Sequence, residues 1–369
     1  MSRLTLTGVG GGVATPSAPE YSSGTIGAAG ATAAVYSKTV EITFTEDVSA
    51  DSGNFSAGVT ISIGSVSYTT FASTNQDGGN DTVRYVLTVG VDGTETVTWA
   101  YAKSGGTINS GGIDLENVSA QAVTNTAFEP GDLSGTIKWW HARPSAANGI
   151  TGSDGDAIET WTENGGSDYT LTQGTSGFRP LLKKASNGIN GMNLLRFDGI
   201  DDRFTGTKPD GDNVLDLLDL LAYSTFTIWL VIDVTNYGPS GTLFYNTDGI
   251  FADGNGYWQV GIDEANVVMG HYGPIGNVEL DLPVSLNTTC VLQLRHDSSG
   301  FHSSINGGTE VDLSTGDTNN LTHAVRVGSN YYRTVFFDGD LAEMITSNAD
   351  ESSGDRASMQ AVLENIYGV

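Results

Sequence analysis

Cysteine is almost absent. Cys290 stands alone in 369 residues, which excludes an intrachain disulfide and any zinc or iron-sulfur site built on cysteines; the thiol is expected to pack in a strand. Basic residues are scarce too: 16 Lys and Arg face 43 Asp and Glu, a formal net charge of −27. So acidic a chain repels phosphate, and its few bases never gather into a stripe, so no nucleic-acid partner is expected. No apolar stretch reaches the roughly 18 residues of a membrane span, so no membrane partner is expected either. Residues 1–12 lack the charged start and apolar stretch of a signal peptide, and standard secretion is not expected. The five histidines contain no His-x-x-x-His pair, and neither a Gly-x-Ser-x-Gly elbow nor a Gly-x-x-x-x-Gly-Lys phosphate loop occurs.

What is abundant is glycine, 49 residues of it, together with Thr, Ser, Asn, Val and Tyr. That composition describes a turn-rich, strand-rich chain, and 38% hydrophobic residues supply real cores over a length above the usual single-core limit. An all-β protein with two domains is expected. Residues 1–30 are nearly all small, with Leu4, Leu6 and Val9 as the larger anchors, and read as an arm with too little apolar surface to fold by itself. Docking on a partner subunit is the expected means of ordering it; packing along its own domain is the alternative.

Residues 31–132 alternate with period two between Gly, Asn and Asp turns, as in a β-sandwich. Val40, Ile42 and Phe44, then Val59, Ile61 and Ile63, then Val97, Trp99 and Tyr101 each mark a buried face. The runs Val40 to Val48, Val97 to Tyr101 and Leu115 to Asn125 resemble the bacterial immunoglobulin-like repeats of surface adhesins and phage structural proteins, which implies a spacer rather than an enzyme. Glu129-Pro130-Gly131-Asp132 reads as a compact linker.

Residues 133–369 form the second unit. Phe226 to Ile232 and Cys290 to Leu294 lack clean alternation and read as central strands buried on both faces. Ile305-Asn306-Gly307-Gly308 carries a hairpin turn signal. Val214, Leu217, Leu218 and Leu221, and again Met359, Val362, Leu363 and Ile366, follow helical spacing, with Gly368 closing the second helix. Arg196-Phe197-Asp198-Gly199-Ile200-Asp201-Asp202 is the most informative string. Together with Trp161, Gly166, Phe178 to Leu181, Asn190-Gly191, Phe337 to Ile345 and the closing Met359 to Gly368, it resembles the concanavalin A-like lectin/glucanase superfamily in its laminin-G-like form. The match spans roughly residues 139–369 and implies a jelly roll of two antiparallel sheets. The fold class expected is thus an immunoglobulin-like sandwich followed by a concanavalin A-like jelly roll with short accessory helices.

Chemistry enters at the acidic turn. An Asp-Gly step lets the chain reverse after a strand, with Asp bonding its own turn amides; the same carboxylates, Asp198, Asp201 and Asp202, are candidate ligands for calcium, which takes roughly six to eight oxygens. No other cofactor is expected. Asp154-Gly155-Asp156, Asp210-Gly211-Asp212 and Asp338-Gly339-Asp340 are similar pairs, and none completes an EF-hand loop. Catalytic members of the superfamily carry Glu-x-Asp-x-Glu or Glu-x-Asp-x-x-Glu on one strand; the nearest string, Glu310-Val311-Asp312-Leu313-Ser314-Thr315, has no second Glu, so no catalytic residue is assigned. His296-Asp297-Ser298 cannot form a triad by itself, because neighbours in an extended segment point in alternating directions. For sugar binding the candidates are Tyr257, Trp258, Tyr272, Tyr331 and Tyr332 with Asn330, against the alternative that strand aromatics serve the core.

The leading expectation is a non-enzymatic virion structural and adhesion protein, a capsid decoration, head fibre or tail appendage at the particle surface. Its arm, through Leu4, Leu6 and Val9, would dock on other virion proteins or on copies of itself in a homo-oligomer, and its jelly roll would bind host or environmental glycans. The alternative is a secreted bacterial carbohydrate-binding or glycan-cleaving protein.

Overall fold

The structure, a computed structural model, describes residues 18–26, 38–50, 53–64, 66–76, 81–88, 91, 95–125, 127–135, 137–143, 150–164, 170–184, 186–207, 225–237, 248–252, 258–263, 266–271, 277–313, 326–329 and 336–369. Within these residues the protein is all-β, with one α-helix near its end.

The first unit contains β1 (Tyr21–Ile26), β2 (Thr39–Phe44), β3 (Ser49–Ala50), β4 (Val59–Ile63), β5 (Val66–Tyr68), β6 (Ser73–Gln76), β7 (Thr82–Val86) and β8 (Val97–Tyr101). β9 (Ile108–Ser110), β10 (Ile113–Asp114) and β11 (Val118–Asn125) complete it. Its main sheet runs β5-β4-β8-β11-β1-β2-β7-β6. The sheet curls until Phe44 meets Trp99 edge-on at 5.9 Å, and Tyr21 stacks on Trp99 at 5.6 Å. The period-two faces read from the sequence are the buried ones in β2, β4 and β8. Residues 21–26, part of the small-residue stretch, form β1 inside this sheet, parallel to β11 and antiparallel to β2. That segment of the arm therefore packs in its own domain. A side chain at Gly24 would meet Ile42 and Val123 at 2.9 and 3.1 Å, so the scarcity of apolar residues that made the segment read as a loose arm is what lets it fit. Leu4, Leu6 and Val9 lie outside the described residues.

After a capped turn at Pro130–Asp132 the second unit begins. It contains β12 (Ile137–His141), β13 (Thr160–Thr162), β14 (Thr170–Thr172), β15 (Leu181–Lys183), β16 (Leu194–Asp198), β17 (Phe204–Thr207), β18 (Phe226–Val234) and β19 (Asp248–Ala252). Then come β20 (Trp258–Asp263), β21 (Asn266–His271), β22 (Asn277–Pro283), β23 (Cys290–Asp297), β24 (Gly300–Ile305), β25 (Val311–Leu313), β26 (Arg326–Val327), β27 (Asp338–Ser347) and α1 (Ser353–Tyr367). One sheet runs β15-β16-β27-β18-β23-β24-β25, with β12 also on β27; the facing sheet runs β13-β14-β17-β26-β19-β20-β21-β22. Trp161, Phe197, Phe204, Ile228, Leu230, Leu292 and Leu294 fill the space between them.

Helix α1 covers the other face of the first of these sheets: Met359, Val362, Leu363 and Ile366 share a buried cluster with Trp229, Val231, Val291 and Ile345. Three layers result, and they explain why β18 and β23 show no alternation: both faces of each are buried. Cys290 packs in β23, and burial pushes its thiol up to about 12. Asn306 and Gly307 take φ of 49° and 61° in the hairpin between β24 and β25, as their sequence signal predicts. The helix over residues 214–221 lies outside the described residues.

Ser352 caps the start of α1 by accepting from the Asp355 amide, and Gly368, at φ 73°, ends it while donating to the Glu364 carbonyl. Asn190 donates to the Ile366 carbonyl at 2.9 Å, tying the helix end to the Asn190-Gly191 turn. A Cβ at position 368 would take an unfavourable left-handed conformation and lie 2.9 Å from the Asn190 side chain. Gly368→Ala is expected to cost about 1–2 kcal/mol in urea denaturation, and a variant as stable as the parent would mean that the cap does not hold the helix.

Candidate functional site

The Arg196 to Asp202 string runs off the end of β16 into β17. In β16, Leu195 and Phe197 point into the core, while Arg196 and Asp198 face away. Gly199 then reverses the chain at φ 70°, pressed so closely on β27 that a Cβ would come within 2.6 Å of the Asp338 Cβ. Asp198 Oδ1 accepts from the amides of Ile200, Asp201 and Asp202 at 2.9, 3.2 and 3.4 Å, and Asp202 Oδ2 accepts from the Asp198 amide at 3.1 Å. This is the turn chemistry expected of Asp-Gly. The same turn brings ligand oxygens of Asp198, Asp201 and Asp202 within 4.8 Å of one another, and leaves Ile200 70% exposed at the tip.

Sheet register adds more acid. Asp198 lies opposite Asp338, and Asp340 is flanked by Arg196 on one side and Asp233 on the other. Arg196 donates from Nε and NH2 to the two oxygens of Asp340, at 2.7 and 2.6 Å, and that pairing raises its own pKa. The other carboxyls are left with unfavourable company. Burial, then the neighbouring Asp198 charge, raises the Asp202 carboxyl to about 7, although the Asp198 amide works the other way. Asp338 is raised by burial and by Asp198, and Asp233 by burial and by Asp340. A cation held at this turn would offset the Asp198 charge that acts on both Asp202 and Asp338. Asp198 Oδ2, Asp201 and Asp202 are the groups placed to hold one, and an all-oxygen donor set suits calcium.

An open groove of about 590 Å³ is lined by Ile150, Thr151, Asp156, Ala157, Ile158, Glu159, Thr160 and Thr162. Its size is that of a ligand pocket, and its hydroxyls and carboxylates suit a polar ligand. A relay of hydrogen bonds joins groove to turn. Glu159 pairs with Arg179 at 2.7 Å, Arg179 donates to the Gln173 carbonyl, Gln173 to the Arg203 carbonyl, and Arg203 to the Asp201 carbonyl at 2.7 Å. At this edge Thr160-Trp161-Thr162 and Thr170-Leu171-Thr172 alternate, with Trp161 and Leu171 buried between the sheets and the threonines turned outward.

The aromatic candidates divide. Asn330, Tyr331 and Tyr332 lie outside the described residues; Ser329 and Phe336, the described residues on either side, pair as a bridge. Gly328, just before, is packed against Phe197 and the Asp202 carbonyl, so that connection is rooted at the acidic turn. Tyr257 and Tyr272 are outside the described residues as well. Their connections leave from Ala252 and His271, and Trp258 begins β20 opposite His271. Ala252 pairs with Arg326, whereas the turn precedes Phe204, which pairs with Val327, so Ala252 ends its strand on the side of the sheet away from the turn.

Other sequence candidates fall into structural roles. His296 stacks on Phe226 at 5.6 Å and lies tilted against Phe301 at 4.6 Å, and Asp297 ends β23. Glu310 is held by Arg295 and Asp312 by His302. Asp154 accepts from the Lys184 amide and from Asn187, and those hydrogen bonds hold its carboxyl below the usual range.

No known family model matches the chain, and no curated protein is similar to it. Similar solved structures include the receptor binding domain of botulinum neurotoxin D, 11% identical with a TM-score of 0.40, covering 63% of this chain and 52% of that one. Domain 4 of AbnA, a GH43 extracellular arabinanase from Geobacillus stearothermophilus solved with arabinotriose, is 11% identical, with a TM-score of 0.38 and coverage of 57% and 100%. A Trypanosoma rangeli sialidase with a bound difluoro sugar acid is 9% identical, with a TM-score of 0.42 and coverage of 73% and 44%. The chain spans about half the length of the toxin domain (52%) and less than half of the sialidase (44%). None of these likenesses says what this chain binds.

Proposed function

We propose that the second unit is a cation-assisted glycan-binding module and that the protein works by binding rather than by turnover. One observation supports this reading: a relay of hydrogen bonds links the acidic turn to the polar groove, and Gly328, two residues before Asn330 in the sequence, packs against the Asp202 carbonyl. Calcium held by Asp198, Asp201 and Asp202 would leave coordination positions for sugar hydroxyls, and the groove would take the next residue of the chain. The tyrosines supply apolar faces against which pyranose rings stack.

The wider setting is part of the same proposal: a particle-surface adhesin in which residues before β1 dock on other virion proteins or further copies of the chain. Its support is the small-residue composition of residues 1–17 ahead of two β units. Deleting those residues should abolish incorporation into the particle with both units still folded, and unaltered incorporation would refute the docking role.

Glycan recognition is checked on an array with full-length protein. Binding is expected with millimolar calcium and to fall at least about tenfold with chelator, with Asp202→Asn and with the Tyr331→Ala/Tyr332→Ala double variant. Tyr257→Ala and Tyr272→Ala are expected to leave it unchanged. Equal binding by all variants, or hits indifferent to chelator, would remove the site. Release of reducing ends from a bound glycan, abolished by changing a single Glu, would make the protein a glycan-cleaving enzyme instead.

A further inference from the structure

The two β units meet at a junction whose sequence, Glu129-Pro130-Gly131-Asp132, reads as an ordinary linker. Between separate domains such a segment is exposed, few contacts cross it, and relative motion is the default. Residues 127–135 depart from that rule. They are tied to the first unit at one end and to the second at the other, and they are packed between the two.

Asn125, the last residue of β11, makes the first tie. Its side chain donates to the Glu95 carbonyl at 2.9 Å and accepts from the Ala127 amide at 3.1 Å. The Pro-Gly turn that follows is closed on itself: the Glu129 amide donates to Asp132 Oδ2 at 2.9 Å, the Asp132 amide to the Glu129 carbonyl at 2.9 Å, and the Leu133 amide to the Pro130 carbonyl at 3.2 Å. Pro130 fixes its own φ and is buried, which leaves the turn little freedom.

Glu351 makes the tie to the second unit. It stands just ahead of α1 and is 1% exposed. One carboxylate oxygen accepts from the Ser134 amide and hydroxyl at 2.9 and 2.8 Å; the other accepts from the Gly135 amide at 3.0 Å and from the Ser347 hydroxyl at the end of β27. Burial works to raise this carboxyl, but the Ser347, Ser134 and Gly135 donors outweigh it and hold the group below its usual range. The junction comes as near as a glycine allows: a Cβ at position 135 would lie 2.2 Å from Ser347 Oγ and 3.0 Å from the Ala349 Cβ. Thr227 on β18 braces the far side, donating to the Ala349 carbonyl at 2.9 Å and accepting from the Glu351 amide at 3.3 Å.

Apolar packing runs through the same place. Val123 of β11, Ala127 and Leu133 of the junction, and Trp139, Trp229 and Ile345 of the second unit belong to one buried cluster. Bending here would expose Leu133 and at the same time strip Ser134 and Gly135 of a buried acceptor, and donors left unpaired in that way are costly.

We propose that the junction is a rigid elbow, locked by Glu351, which holds the second unit at one fixed angle to the first. None of the groups assigned to glycan binding takes part in it. The first unit then acts as a spacer that sets the direction in which the second unit faces.

The test is the distance between the units in full-length protein, measured by pulsed electron spin resonance with labels at Ser119→Cys and Thr309→Cys. Both positions are exposed, and Cys290 is buried and stays unlabelled. The parent is expected to give one narrow distance distribution. Glu351→Ala, which leaves the Ser134 and Gly135 donors without their acceptor, should broaden it at least about twofold, and Gly135→Ala should do the same by pressing on Ser347. A reference pair within the second unit, Ser186→Cys with Thr309→Cys, should keep its width, which separates a released junction from an unfolded unit. If Glu351→Ala broadens the reference pair as well, Gly135→Ala becomes the deciding variant. A broad or two-peaked distribution in the parent, or an unchanged width in the deciding variant, overturns the proposal.

Discussion

Glu343→Ala is expected to lower the stability of the second unit by about 3–5 kcal/mol, enough to release α1 under conditions in which the parent is folded. Glu343 lies in β27 and is 1% exposed, yet three elements meet on its carboxylate. Trp139 Nε1 from β12 donates at 2.7 Å, Arg143 NH2 just beyond β12 at 3.2 Å, and the Tyr367 hydroxyl at the end of α1 at 2.7 Å. Arg143 is itself fully buried, and its guanidinium lies 5.0 Å from the Trp139 ring. Truncating Glu343 takes one counter-charge away from a buried cation and leaves Trp139 Nε1 and the Tyr367 hydroxyl short of an acceptor, which costs far more than the pair contributes. Glu343→Gln keeps an acceptor for Trp139 and Tyr367 and should fall between parent and alanine variant. Tyr367→Phe should lose about 1–2 kcal/mol. Urea denaturation followed by circular dichroism and by tryptophan fluorescence checks the series. Changing Glu343 and Arg143 together to leucine should recover most of the loss; a double variant as unstable as the single one would mean that volume, not charge, is what this site supplies.

Asp202→Asn should stabilise the protein at about pH 8 by up to roughly 4 kcal/mol and do nothing below about pH 4. In the fold the Asp202 carboxyl keeps its proton up to about 7, against 3.8 when unperturbed. The folded state therefore binds more protons than the unfolded one between those values, and stability falls as pH rises through that window, with the full penalty present above it. Asparagine carries no charge and escapes the penalty. Calcium at Asp198, Asp201 and Asp202 would offset the same repulsion, so the parent should gain thermal stability from calcium at about pH 8 and little at about pH 4, where Asp202 is protonated. The variant should lose most of that response. Thermal denaturation at the two pH values, with calcium and with chelator, decides it; a calcium response that survives in Asp202→Asn would move the cation elsewhere.

Much of the scaffold under these sites was legible in the chain. Alternation at Val40, Ile42 and Phe44 and at Val97, Trp99 and Tyr101 marks the buried faces of β2 and β8, because side chains of a strand alternate between its two faces whatever the strand pairs with. Loss of alternation in β18 and β23 likewise announces a layer on each face. Gly199 and Gly368 stand where the backbone takes positive φ. The acidic turn was legible for the same reason: Asp198, Asp201 and Asp202 are neighbours in sequence, and the turn that joins them is local.

Residues 21–26 illustrate the limit. Little in Tyr21-Ser22-Ser23-Gly24-Thr25-Ile26 is apolar, and its strand state is decided by the vacancy between β2 and β11 that it fills. The groove beside β13, the gathering of Asp233 and Asp338 around the Arg196–Asp340 pair, and the meeting of His302 with Asp297, Glu310 and Asp312 were equally hidden. Composition and periodicity thus determined the class of the fold, the inward face of most strands and the turn at Asp198, since each depends on residues a few positions apart. Strand order and register decided the rest: which carboxylates share a sheet end, which strand covers Glu343, and which acid meets each nitrogen of His302. Those contacts join residues far apart in the chain, whose charges interact only after folding has excluded water from between them.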